Sequence, residues 1–140
     1  MQPASGVSVG AAGLVSTADD MFAFAEMLRR GGSHRGARIL SAPSVAAMTS
    51  DQLSPAQKAA STWVPGFFDR LGWGFGMAVV TGRDESGSVG AYGWDGGLGT
   101  IWRNDPREQL VTILLTQCAW TSPVPPPVCL DFWREARAGA

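Results

Sequence analysis

Apolar side chains at Met21, Phe24, Ala25 and Leu28 fall at i, i+3, i+4 and i+7, the spacing that lays one stripe along a helix, with Glu26, Arg29 and Arg30 off it. Ser16 and Thr17 each precede an acid by three residues, Asp19 and Asp20, as a capped helix start requires, and Gly31-Gly32 supplies a stop. A short extended link over 36–40 should follow. Ser41-Ala42-Pro43 then opens a brief helix carrying Val45 and Met48 inward, and Ser54-Pro55 opens another. The polar-aromatic stretch from Ser61 to Arg70 reads as loop.

Beyond Leu71 the period changes to two. Trp73, Phe75, Met77 and Val79 alternate with Gly72, Gly74, Gly76 and Ala78, which predicts one strand with a bulky face and a nearly bare one. A bare glycine face lets a helix or a ligand approach closely. A polar turn over 82–87 leads to a second strand from Ser88 to Trp94, a third from Leu98 to Arg103 and, past Asn104-Asp105-Pro106, a fourth from Gln109 to Gln117. The fourth is apolar on both faces, so it should lie inside a sheet covered on two sides. Prolines over 123–127 break the chain before a final helix, Val128 to Arg137, with Val128, Phe132, Trp133 and Ala136 on its stripe. The pattern predicts an α+β fold: an antiparallel meander of about four strands, N-terminal helices, and a C-terminal helix packed on the sheet. A single domain is expected, helical over about 10–60, sheet over about 71–117, and helical again over about 128–137.

Composition narrows the function classes. With 45% hydrophobic and 16% charged residues among 140, disorder is excluded. Eleven cations, ten of them dispersed arginines, face 12 acids, which argues against nucleic acid as a partner. No run approaches the roughly 18–20 apolar residues of a membrane span, and the N-terminal residues carry no basic region followed by a long apolar run. The compartment is not indicated.

One histidine, His34, and two separated cysteines offer no metal-ligand set, and His34 sits in a polar turn. Lys58 follows no glycine-rich phosphate loop, and the glycines of 93–99 are misspaced for a dinucleotide, so no cofactor is expected. Gly6-Val7-Ser8-Val9-Gly10 matches Gly-x-Ser-x-Gly, but only five residues precede it, too few for the strand such an elbow needs. The proline-rich turn could bring Cys118 and Cys129 together in a disulfide, or leave two thiols.

Two stretches carry a resemblance. Gly13-Leu14-Val15-Ser16-Thr17-Ala18-Asp19-Asp20, running on through Phe24, Leu28, Gly31-Gly32, Arg38 to Ser41 and Met48, resembles the helical segment preceding the third motif of the serine β-lactamase-like family. That family includes class C β-lactamases, penicillin-binding proteins and related esterases. Leu71 to Gly76, then Tyr92-Gly93-Trp94-Asp95-Gly96-Gly97-Leu98-Gly99-Thr100, Asp105-Pro106 and Leu110 to Gln117 resemble the late strands of the same fold. Together they span most of residues 10–117. The family acylates the serine of a Ser-x-x-Lys motif, uses Tyr-x-Asn in proton transfer, and edges its pocket with Lys-Thr-Gly or a variant. Neither of the first two occurs here, since no serine is followed three residues later by lysine and Tyr92 is followed by Gly93-Trp94.

The third motif falls on Trp94, Asp95 and Gly96, and the resemblance implies that the N–H of Gly97 donates to the oxyanion of an acyl intermediate. It also implies that the chain is the C-terminal part of such an enzyme. Trp94 stands where lysine would attract a carboxylate and Asp95 adds a negative charge beside it, which points to a neutral ester or amide. Tyr92, Trp73, Phe75, Trp94 and Trp102 are candidates for holding such a substrate, although aromatics that alternate with glycine in strands, as Trp73 and Phe75 do, more often pack the sheet. The alternative is a non-catalytic module that binds a protein partner through an uncovered sheet face, with self-association through an exposed sheet edge.

Overall fold

In the computed structural model residues 14–139 are described. The Gly6 to Gly10 match lies outside them. The first helix, α1 (Ala18–Arg29), starts where the sequence places it: Thr17 Oγ1 accepts from the Asp20 N–H at 3.1 Å, and Asp19 and Asp20 lie at the positive end of the helix dipole. It ends on Gly31 and Gly32, both at positive φ, whose amides return to the carbonyls of Leu28 and Met27. The buried face comprises Ala25, Met27 and Leu28, so Met27 takes a place that the predicted stripe gave to Phe24, which is half-exposed. A two-residue hairpin follows, β1 (Ser33–His34) with β2 (Ala37–Arg38), turning at Arg35-Gly36. Two short helices, α2 (Ala42–Met48) and α3 (Pro55–Ala59), open on Ser41 and Ser54, whose side chains accept from the amides of Ser44 and Gln57.

The main sheet has five antiparallel strands in the order β3 (Leu71–Trp73), β4 (Ala78–Val80), β5 (Tyr92–Gly96), β6 (Thr100–Asp105), β7 (Leu110–Leu115). The strand expected over 71–79 is a hairpin instead, pairing Leu71 with Val80 and Trp73 with Ala78. Its turn is closed by the Gly74 N–H on the Met77 carbonyl, with Gly76 at φ +90°. What approaches the glycines is the chain between α2 and α3. A Cβ at Gly72 would strike the Asp51 carboxylate, and one at Gly74 the Met48 carbonyl. That segment runs beside β3 almost as a further strand: Met48 O accepts from Phe75 N at 3.1 Å, Asp51 Oδ1 from Trp73 N at 3.1 Å, and Gln52 N donates to Trp73 O at 2.9 Å. Lys58 closes on Asp51 at 2.5 Å. Burial of Asp51 opposes its ionisation but is outweighed by Lys58 and the amides of Leu53 and Trp73, so its pKa lies below the ordinary range.

The second predicted strand begins later than Ser88, because Ser88 to Ala91 forms a turn with Gly90 at φ +96°. Two apolar clusters sandwich the sheet. On one face Met27 and Leu28 of α1 meet Val45, Met77, Val79 and Tyr92. On the other, Cys129 and Trp133 of α4 (Pro127–Ala138) meet Ile101 and Leu114. The buried stripe of α4 is therefore rotated one position from the predicted one, and Val128 is half-exposed. Strand β6 shows the alternation that serves both layers. Asn104 reaches α1, donating to Ala25 O at 2.7 Å and to Tyr92 Oη at 2.9 Å, while Arg103 lies over the Trp133 ring at 5.3 Å. Strand β7 is covered on both faces as expected, but it forms the edge of the sheet instead of its interior, with no strand on its outer side among the described residues. Both cysteines are free, Cys118 exposed and Cys129 buried.

Candidate active site

The pairing of β5 is uneven. Strand β6 pairs with all five of its residues, whereas β4 pairs only with Tyr92 and Gly93. Trp94, Asp95 and Gly96 thus present a strand edge with no partner on the β4 side among the described residues. The turn that follows is pinned from outside: Gly99 N donates to Gly96 O at 2.9 Å, Trp120 N to Gly97 O at 2.8 Å, and Thr116 Oγ1 to Gly99 O at 2.8 Å. A side chain at Gly97 would meet open space, so this turn faces a free volume.

That volume is a cleft of about 630 Å³ in which Trp94, Asp95 and Gly97 come together. Its other walls come from separate stretches: Trp63 and Phe67 before the sheet, Asp84 to Ser86 between β4 and β5, Trp120 after β7, and Trp133 on α4. Trp133 falls on the predicted stripe of the last helix, whereas no periodic signal marks Trp63, Phe67 or Trp120, the first two in the stretch read as loop and the third in the chain after β7. Trp73 braces the site without lining it, its ring meeting Trp94 edge-on at 4.8 Å. Tyr92 and Trp102 lie on the α1 face. The Tyr92 hydroxyl accepts from Asn104 and its pKa is pushed up by burial, while Trp102 packs against Phe24 and Tyr92 at 5.8 and 6.2 Å. Phe75 is in the β3–β4 turn, 59% exposed.

Asp95 does not add a free negative charge beside Trp94, as its sequence position suggested. Its Oδ2 accepts from Arg103 Nη2 at 2.8 Å, and the guanidinium is only 4% exposed, sandwiched between the carboxylate and Trp133. Burial pushes the Asp95 carboxyl above its ordinary pKa, and the Arg103 charge and hydrogen bond hold it back. Asp95 is thus tied to β6 by an ion pair that sequence reading missed, because Arg103 is eight residues away on the neighbouring strand, and Arg103 in turn meets α4 through the Trp133 ring.

The family model described as Beta-lactamase matches residues 1–127. Two proteins of Mycobacterium tuberculosis, Uncharacterized protein MT1414 of strain CDC 1551 and Protein Rv1367c of strain H37Rv, are each 38% identical over 111 residues, covering 75% of this chain and 28% of theirs. Among solved structures, a penicillin-binding protein homolog from Caulobacter crescentus superposes with a TM-score of 0.67 at 18% identity, covering 84% of this chain and 30% of that one. Simvastatin synthase (LovD) from Aspergillus terreus superposes at 0.57 with 22% identity, covering 82% and 32%. The chain belongs to the β-lactamase family. It spans less than a third of the length of these relatives.

Proposed function

We propose that these residues form the C-terminal part of a β-lactamase-related serine hydrolase that acts on an ester or amide through an acyl-serine intermediate, the nucleophile being supplied by residues outside this chain. The observation that carries the reading is the unpaired β5 edge at Trp94 to Gly96, leading into the Gly97 turn at the mouth of the cleft, in a chain of this family. Such an edge can align an acyl group, and the Gly97 N–H would donate to the oxygen that becomes an anion when the serine attacks. Trp94 provides no charge for a carboxylate, and the Asp95 charge is already balanced by Arg103, so the substrate's reacting end is uncharged.

Replacing the segment of Rv1367c that matches this chain with residues 14–139, α4 included, tests this. The chimera should hydrolyse 4-nitrophenyl butyrate and react with a fluorophosphonate, and Gly97→Pro, which deletes the N–H, should lower kcat by roughly 10²–10³-fold. A folded chimera inert to both reagents overturns the reading. A second reading, a module that associates through its sheet edge, draws on β7: Leu110 to Leu115 contains no charge or proline that would discourage pairing. Sedimentation should then show concentration-dependent association that Leu115→Lys suppresses.

A further inference from the structure

Core packing does not explain helix α3. None of its five residues is buried, yet its start is fixed twice over: the Ser54 hydroxyl accepts from the Gln57 amide, and the Gln57 side chain accepts from the Ser54 amide. What the helix brings to the rest of the chain is a charge. Lys58, the single lysine of the sequence, reaches Asp51 at 2.5 Å, with the two side chains only 19% and 22% exposed. Asp51 in turn occupies the space that a side chain on Gly72 of β3 would need. Its Oδ1 accepts from Trp73 N at 3.1 Å while Gln52 N donates to Trp73 O at 2.9 Å, so residues 51 and 52 hold both main-chain groups of Trp73 on that edge.

From Trp73 the path runs on through its ring, which meets Trp94 edge-on at 4.8 Å. The residues between them in register, Ala78 and Gly93, are too small to intervene. From Trp94 onward β5 has no strand partner on the β4 side among the described residues, so side-chain packing must do there what ladder hydrogen bonds do elsewhere. An ionised carboxylate accepts from an amide more strongly than a neutral group does, and the ammonium at 2.5 Å keeps Asp51 ionised where little water reaches it. We infer that Asp51 and Lys58 are positioning residues for the candidate site, setting where the Trp94 edge stands by holding Trp73. This rests on the reading of that edge as the strand that aligns an acyl group, and adds to it the groups that hold the edge in place.

The test is circular dichroism of the intact 140-residue chain. Among the described residues every other close aromatic pair holds at most one tryptophan, so a tryptophan exciton couplet has a single source and Trp94→Phe should abolish it. Lys58→Met and Asp51→Ala should each reduce the couplet at least about twofold in chains that still unfold cooperatively, and Lys58→Arg should keep it. Leu28→Val, a change in the core under α1, should weaken the fold in urea and leave the couplet as it was. In the Rv1367c chimera, Lys58→Met should lower turnover of 4-nitrophenyl butyrate about tenfold, chiefly in kcat, and Lys58→Arg should not. The inference is overturned by a chain with no couplet that Trp94→Phe removes, by a couplet indifferent to Lys58→Met and Asp51→Ala or equally lost on Leu28→Val, or by an active chimera untouched by Lys58→Met. Because the couplet is read without turnover, an inert chimera alongside the expected couplet changes sinks only the acyl-serine reading.

Discussion

Two charged side chains show how differently environment treats the same functional groups. Glu26, on the outer side of α1, is held by Arg29 through paired bonds of 2.6 and 2.9 Å and by Arg30, which brings its pKa from 4.5 to about 2. A carboxyl depressed on folding contributes stability that is fully present above its unfolded pKa and is lost as pH falls through the folded one. The melting temperature should therefore decline between about pH 4.5 and pH 2, and Glu26→Gln should flatten that decline; equal slopes in the two proteins would refute the assignment. Asp95 runs the opposite way, its carboxyl raised by burial, so its contribution favours the fold at low pH and fades as pH rises above 3.8. The comparison with the Gln variant isolates Glu26 from it. For the buried pair, Arg103→Met leaves Asp95 alone in a poor solvent and should cost about 3–5 kcal/mol. Adding Asp95→Asn should recover a large part of that loss in urea unfolding, whereas strictly additive losses would mean that the two groups do not interact. At this scale the sequence was legible where a side chain acts on its own neighbourhood, as Thr17, Ser41 and Ser54 do at helix starts. It was silent where partners meet across strands, as Arg103 and Asp95 do.

Among the elements, the β3–β4 hairpin is the instructive case. Alternation of bulky residues with glycine satisfies a period of two through the whole of 71–79, and periodicity has no means of marking a reversal inside it. The glycines themselves record two different demands: Gly76 supplies a positive φ for the turn, while Gly72 and Gly74 make room for Asp51 and Met48. Gly74→Ala should thus cost about 1–3 kcal/mol by thermal or urea unfolding, because backbone and not a movable side chain stands in the way. A neutral substitution there would show that the 48–52 segment is not seated against β3. The strand β7 tells a related story. Its two apolar faces were correctly read as covered, by α1 and α4, yet its edge position was invisible, since facial burial and lateral pairing leave different marks and only the first is written in side-chain pattern.

On the scale of the molecule, two helical layers clamp one sheet, and the site belongs to neither layer alone. Its strand lies in the sheet, its aromatic walls come from chain segments near residues 63, 120 and 133, and the Asp95–Arg103 pair meets α4 through the Trp133 ring. The fold class was legible because local pattern and family resemblance both point to it. The cleft was not, because it is assembled from stretches that touch only after folding.

The two thiols, one on the surface and one on the buried face of α4, give that clamp a clock. Cys118 should react with a maleimide or disulfide reagent as fast as a small thiol does. Cys129, sealed by the helix and with its ionisation suppressed by burial and by the nearby Asp95, can react only in the moments when α4 lifts away. Its labelling rate in a Cys118→Ser chain, followed by mass spectrometry, should therefore count the openings of the C-terminal helix and rise when Arg103 is replaced by methionine. Labelling of Cys129 as fast as that of Cys118 would mean that the helix is not docked at all.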